Sequence, residues 1–490
     1  MNLFILVPIS FPILAGLALP VLRFCKERKK RQVYVASVVI ATAALVLLVI
    51  SLGNLEFKGF SITPSIYFLL KIDNLSRFFL VLASGLWILS TFYLFEYIKQ
   101  FGKDIRFFSF FLIVYGVIIG LCMSGNFFTL YLFYEMMTLT TYPLVIHSET
   151  KQAMKAGTKY LAYSFFGASF ALIGFVFINH FGHTINFTPG GVLDMAMVSG
   201  NENLLLGIFL LTFIGFGSKA ALWPLHGWVP DVYSAGPNPV NALSSGVFTK
   251  VGVLAIIRMM FYLFGADFVF DSWAQTVLMI MTLMTVFMGS MLAYKEKELK
   301  RRLAYSTISQ VSYVLFGLMI VSVIGFRGAM LHILFHAIIK AVLFFAAGAI
   351  IYKTQKTYVH ELRGIGKSMP ITMWCFAIAS VALIGVPPTA GIVSKWSLGV
   401  GAISSNLPML GMIGAGVLLI SALLTAGYLM SIVAIAFFPG SKFDYESLEK
   451  REPGRLMVVP LVILAACSIL FGMFPMWLIG YIDGIAVLLF

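Results

Sequence analysis

Seven ionisable residues stand inside apolar runs long enough to cross a bilayer: Glu135, Lys219, Lys250, His332, His336, Lys340 and Lys395. Keeping such a group at that depth costs on the order of a few kcal/mol or more, so its default reading is functional. Lys219 and Lys250 flank a break in the apolar pattern that starts at Trp223-Pro224 and is punctuated by Pro230, Pro237 and Pro239. A second break, with Pro387 and Pro388 between Gly385 and Gly391, comes just before Lys395. Proline cannot donate to a helical ladder, so both stretches are read as interrupted helices.

The chemistry these residues suit is the holding and passing of protons. Glu135, in FTLYLFYEMMTLTTYPL, is the only acid well inside a span; Asp73 and Asp483 fall at span ends. Alone in lipid, either Glu135 or Lys219 is costly as a charge, whereas side by side they stabilise one another. A proton arriving near the lysine changes that balance, which lets a titratable pair gate a proton; the alternative is a fixed ion pair between helices. In LHILFHAIIKAVLFF, His332, His336 and Lys340 are spaced i, i+4, i+8. At roughly 1.5 Å per residue they form a stripe about 12 Å long on one helix face. Such a row resembles a proton relay. A metal shared by two histidines one turn apart is the rival, but no acid or thiol is nearby in sequence to join them. Packed histidines with a snorkelling lysine are a third reading, opposed by the mid-span depth of Lys340. Thr249, Ser306, Thr307, Ser309 and Tyr428 supply hydroxyls for bridging waters.

The elements that must position these groups are membrane helices. Of the 490 residues, 60% are hydrophobic and 11% charged, where a soluble chain carries about a quarter charged. About fourteen apolar runs recur, at 3–22, 33–52, 74–95, 107–124, 127–146, 160–180, 204–222, 241–262, 273–293, 303–323, 328–352, 370–403 (broken), 409–437 and 457–480. The fold class is therefore all-α and polytopic, one membrane domain over 1–490. The first run lacks a charged leader and is read as a spanning helix, not a cleaved signal peptide. Residues 53–73, which contain Pro64, predict a short outer hairpin.

The net charge of +14 invites a nucleic-acid reading that its distribution opposes. Most Lys and Arg fall in alternate loops, densest in KERKKR (26–31), as the positive-inside rule requires. With that loop inside a prokaryotic plasma membrane, both termini are expected outside. Loop 181–203 has no Lys or Arg, and Asp267 and Asp271 follow the eighth span, both fitting an outer face. Arg258, near the outer end of its helix, is expected to snorkel. Cys25, Cys122, Cys375 and Cys467 are scattered, which gives neither a disulfide framework nor an iron–sulfur or zinc pattern. No phosphate-binding or dinucleotide motif occurs, so no cofactor is expected and the chain is read as a transport component without a redox centre of its own.

Ser218-Lys219 and Ser394-Lys395 lie five spans apart at comparable breaks. Interrupted segments in corresponding places point to an inverted repeat with a site at each break. The units are 107–262 and 273–437. They are not equivalent: the tenth span has no acid to match Glu135, and the thirteenth no lysine to match Lys250.

At these residues the sequence resembles the antiporter-like proton-translocating subunit family, found in NADH–quinone oxidoreductase (complex I), Mrp-type cation/proton antiporters and membrane-bound hydrogenases. Three stretches carry the match: Lys219 with WPLHGWVPD (223–231) and PNPVNALSSGVFTKVG (237–252); the histidine row ending at Lys340; and GVPPTAGIVSKW (385–396). Glu135 completes the set. The resemblance implies fourteen helices, inverted repeats of five and broken helices 7 and 12. It implies Glu135–Lys219 as a modulating pair, Lys250, His332, His336 and Lys340 as connectors, and Lys395 as terminal carrier. Within the family the chain looks like the D-type Mrp subunits and their hydrogenase relatives; the complex I M-type subunit usually has a glutamate where this chain has Lys395, and Gly236 stands where alanine is common. The length leaves no room for the lateral helix of the L type.

Two other function classes remain on the sequence alone: a stand-alone transporter of a small solute, and a membrane anchor whose buried charges only pack. Partners implied are antiporter-like and small Mrp-type subunits, hydrogenase or quinone-module subunits, and the lipid bilayer, with no nucleic acid. A lysine-rich axis offers few oxygens for Na⁺, which favours protons.

Overall fold

A chain with this little polar surface must satisfy its backbone hydrogen bonds within each segment, and helices are how it does so. The computed structural model describes residues 3–440 and 449–490. In chain order its main elements begin with α1 (Val7–Ala18), α2 (Arg28–Ser51) and a two-stranded hairpin, β1 (Glu56–Ser61) and β2 (Tyr67–Lys71). There follow α3 (Asn74–Tyr97), α4 (Asp104–Cys122), α5 (Phe127–Val145) and α6 (Lys151–Phe181). The first interrupted helix is α7 (Glu202–Gly217) with α8 (Val229–Ala235). Next come α9 (Asn238–Phe264), α10 (Trp273–Lys295), α11 (Leu299–Met319) and α12 (Val323–Thr354). The second interrupted helix is α13 (Pro370–Ile384) with α14 (Ala390–Ile403), and α15 (Pro408–Phe437), α16 (Arg455–Met473) and α17 (Met476–Ala486) close the chain. Among the described residues nine helices are long and apolar enough to cross a membrane, and five apolar helices are shorter. This is a multi-pass helical membrane protein.

Helices differ in how much of them faces lipid. The apolar window of α9 is 100% buried and that of α12 94%, against 33% for α6 and α16. So α9 and α12 form the axis, and α2, α6, α15 and α16 form the rim. α11 lies inside for a legible reason: Ser306, Thr307, Ser309, Gln310 and Ser312 are all buried on it, and hydroxyls and amides avoid lipid because hydrocarbon gives them no partner.

The expected hairpin is present and antiparallel, with Phe57 opposite Leu70. It is stitched to the α4–α5 turn, where Lys71 N donates to Met123 O at 2.7 Å and Gly125 N to Leu69 O at 2.8 Å. Several boundaries differ from the sequence reading. The run 204–222 stops being helical at Gly217, so Lys219 sits in the break and not inside a helix. The run 457–480 is two helices parted at Phe474-Pro475. The KERKKR segment enters α2 from Arg28 and is more than an orientation signal: Arg28 and Arg31 pair with Asp104 at 2.8 and 2.9 Å. Part of the last basic loop, including Lys442, lies outside the described residues.

Candidate functional site

The first break is built around Lys219. Past Gly217 the backbone turns with Ala221 in the left-handed region (φ 61°), and freed carbonyls find new donors: Leu222 N reaches Gly217 O at 2.8 Å and Trp228 Nε1 reaches Ser218 O at 2.9 Å. Such pairing is what allows irregular backbone within a membrane protein. The lysine leaves the turn towards α5, donating to Tyr134 O at 2.9 Å and to Thr138 Oγ1, with its ammonium 3.9 Å from the centre of the Tyr134 ring. Residues 134 and 138 share a helix face, while 135 points about 100° away from 134. Hence Glu135 is on the same helix and the same turn, yet makes no ion pair with Lys219 among the described residues, and its buried Oε1 has no protein partner. Lys219 also borders a small cavity of about 10 Å³ lined by Thr141, Tyr160, Trp228 and Ser244, room for about one water. Gly252 lets α9 come this close, because a Cβ there would meet Ala220 N at 2.9 Å and the Lys219 side chain at 3.1 Å.

Lys250 lies about three turns into α9. Before it α9 widens into a π turn at Ser244–Phe248, a distortion common at functional sites. Its ammonium contacts Ser245 O and lies 2.5 Å from His336 Nδ1; Ser245 Oγ in turn meets Thr307 Oγ1 at 3.0 Å. His336 and His332 stack nearly parallel, centroids 5.9 Å apart and 19° between planes. His332 Nδ1 then lies 2.9 Å from Ser394 Oγ, next to Lys395 in the chain. Lys250, His332 and His336 are all buried. Lys340, one turn along α12, is buried too, but donates to Leu303 O at 2.8 Å and is not bonded to the histidines.

At the second break Lys395 turns back onto the end of the preceding half-helix, donating to Leu383 O at 2.7 Å and Ile384 O at 3.1 Å. Those are C-terminal carbonyls without intrahelical partners, at the negative end of the α13 dipole, where a cation is favoured. Gly385 ends α13 with φ +95°, and a Cβ on it would lie 3.1 Å from the Lys395 side chain. Tyr313 stands between the groups, stacked on His332 (5.4 Å) and 5.2 Å from the Lys395 ammonium. Lys395 is half-buried and borders an open groove of about 330 Å³ lined by Trp396, Ile403 and Leu419.

The hydroxyls singled out in the sequence line the same region. Thr249 bonds Ser245 O at 3.1 Å, Ser306 meets Tyr428 at 2.8 Å, and Ser309 meets Ser290 at 2.8 Å. Among the described residues no three His, Cys, Asp or Glu come together as a metal site.

One residue departs from expectation. Arg258 does not snorkel: it is 2% exposed and forms a two-pronged pair with Asp73, Nη1–Oδ2 2.6 Å and Nη2–Oδ1 2.8 Å. Asp73 also caps α3 by accepting from Ser76 N at 2.9 Å. Burial would raise the Asp73 carboxyl, but Arg258 and Ser76 outweigh it and hold it at about 2. An aspartate seen only as a span end concealed this, since nothing in sequence ties it to a residue so far along the chain.

Residues 124–425 match the transmembrane family of NADH:quinone oxidoreductase and Mrp antiporters. The chain belongs to this family. Its relatives include the NADH-quinone oxidoreductase N subunit of Desulforudis audaxviator, 33% identical over 75% of this chain and 74% of that protein. The D-type Na⁺/H⁺ antiporter protein of Alkalihalophilus pseudofirmus is 30% identical over 82% and 79%. The NADH:quinone oxidoreductase/Mrp fold is shared over its full length with a chain of the Mrp complex from Dietzia sp. DQ12-45-1b, at TM-score 0.84, 22% identity and coverage of 100% and 98%.

Proposed function

We propose that this chain is a proton-translocating subunit of a multisubunit redox-driven or Mrp-type complex in a prokaryotic plasma membrane. The observation that carries the reading is the succession of Lys250, His336, His332 and Ser394 from α9 across α12 to α14, with hydrogen-bond contacts of 2.5 Å and 2.9 Å at its ends and the two imidazoles stacked 5.9 Å apart between them. Groups that hold and release protons, lined up in the buried interior, suit proton relay better than solute binding. Lys219 with Glu135 stands at one end of the line and Lys395 at the other; Lys340 joins it through α11. Fourteen crossings, inverted units at 107–262 and 273–437, and termini on the outer side complete the reading. The breaks at Pro224 and at Pro387-Pro388 are its two corresponding interruptions.

Neutral ligands dominate around the lysines, and they favour H⁺ over Na⁺ as the ion moved. In the assembled complex, Lys219→Ala and Glu135→Ala should abolish cation translocation while the complex still assembles. Translocation at the parent rate in both variants overturns the assignment, and solute uptake by the purified chain alone in liposomes would favour a stand-alone transporter.

A further inference from the structure

The two stacked histidines leave a gap in the line. Neither His332 Nε2 nor His336 Nε2 has a protein partner, although both rings are buried. Gln310 on α11 is 0% exposed, and its Nε2 and Oε1 make no close hydrogen bond, the Tyr313 hydroxyl being the polar group beside them. Buried polar atoms are almost always hydrogen-bonded, to protein or to ordered water.

Contacts between α11 and α12 bracket where Gln310 stands. Lys340 bonds Leu303 O, Thr307 joins Ser245 beneath the Lys250–His336 pair, and Tyr313 stacks on His332. The helices run antiparallel, and residues 303, 307 and 310 share one face by helical spacing. Gln310 therefore falls between the levels of His336 and His332, on the side facing them.

One protonation state gives the line a direction. When Lys250 is protonated its ammonium donates to His336 Nδ1, and that ring then carries its proton on Nε2. When Ser394 Oγ donates to Gly391 O at 3.2 Å it accepts from His332 Nδ1, which leaves the Nε2 of His332 as an acceptor. In that state one ring offers a donor Nε2 and the other an acceptor Nε2, with the ring centroids 5.9 Å apart.

We propose that Gln310 is a positioning residue that holds bound water between α11 and α12, joining His336 Nε2 to His332 Nε2. The inference rests on the proton-relay reading for its consequence, not for its geometry. Water accepts from His336 Nε2–H, donates to His332 Nε2 and is steadied by the Gln310 amide. As a proton crosses, the water oxygen takes one from His336 and gives one to His332, so the water itself is unchanged. An amide suits this place because it donates and accepts without binding the proton itself.

The test uses the intact complex. A cryo-electron microscopy map fine enough to show water should have density within about 3.5 Å of the Gln310 amide and of both Nε2 atoms. Gln310→Met keeps the shape and removes the hydrogen bonds; it should lose that density and slow translocation at least tenfold with assembly unchanged. Gln310→Glu, which as the acid donates and accepts again, should recover most of the rate. A map in which no water bridges the imidazoles overturns the proposal whatever Lys219→Ala does. Gln310→Met translocating at the parent rate overturns the positioning role, whereas parent rates in Lys219→Ala and Glu135→Ala would instead sink the relay reading while the map still decides the water.

Discussion

Arg258 offers a quantitative test of how the axis is held. Its guanidinium makes three hydrogen bonds, two to Asp73 and one to Ser76 Oγ at 3.0 Å, and packs on the rings of Tyr262 (4.6 Å) and Phe187 (5.1 Å). Removing the acid leaves a charge stranded in the interior, which typically costs about 3–5 kcal/mol. The Asp73 side chain is 26% exposed while that of Arg258 is 3% exposed, so the two deletions should not cost the same. Asp73→Asn keeps the helix cap and loses the charge, and should cost about 3 kcal/mol, the low end of that range. Asp73→Ala loses the cap as well, about 1 kcal/mol more. Arg258→Met strands only a carboxylate that water can reach, and should cost less than either. The double variant Asp73→Asn/Arg258→Met removes both charges and should recover much of the loss. The assay is thermal unfolding of the purified complex in one detergent, with the four variants ranked side by side. If Asp73→Asn is as stable as the parent, or the double variant no better than Asp73→Asn, the stranded-charge argument is wrong.

Other outcomes follow from the same reasoning. Asp73 titrates near 2 when folded against 3.8 unperturbed; a lowered acid contributes stability above the unperturbed value and loses it as pH falls towards 2, so acid unfolding of the parent should have a component over that window that Asp73→Asn lacks. His147, between α5 and α6, is pushed down to about 4 by burial and by the Arg106 charge; its ring accepts from Arg106 and donates to Gly102 O. Its proton binding is suppressed by folding, so stability should fall as pH drops from about 6.5 to 4, and His147→Gln should flatten that slope. Gly289→Ala puts a Cβ 2.7 Å from Ser309 N and 3.0 Å from its Cα; backbone cannot yield, so α10 and α11 should part at a cost of about 1–3 kcal/mol, read as a lowered unfolding temperature. Lys250→Met removes the donor to His336, and translocation by the assembled complex should drop at least about tenfold, or ~1.4 kcal/mol of barrier.

Much of the molecule was legible in the sequence because lipid imposes a simple rule. A run of apolar residues must be helical, so most of the helices, the hairpin and both breaks could be read from composition and proline. Depth was legible too, which is why Lys219, Lys250, His332, His336, Lys340 and Lys395 stood out. Partnership was not. Lys219 and Glu135 are electrostatic neighbours, but the ammonium's hydrogen bonds go to a carbonyl and a hydroxyl of α5 and not to the carboxylate. Lys340 shares a stripe with the histidines yet bonds to α11, since a long side chain answers to the nearest carbonyl, not to its own helix. That Lys395 would cap the half-helix before it depends on how sharply the break folds back, which no spacing states. Gln310 gave no signal as one amide among serines; its lack of a close hydrogen bond is visible only in three dimensions.

The complete enclosure of α9 has a consequence for how the protein is made. A ribosome delivers Lys250 to the bilayer long before α12, and with it His336, has been synthesised. At that stage Lys250 has no imidazole to meet, and Arg258 has only the already inserted hairpin region and its Asp73. Membrane helices insert first and pack afterwards, so α9 must wait at the insertion machinery or in a wet crevice until α12 closes over it. A chain that ends before α12 (Val323–Thr354) leaves Lys250 with only the Ser245 carbonyl and the Thr249 hydroxyl of its own helix as partners.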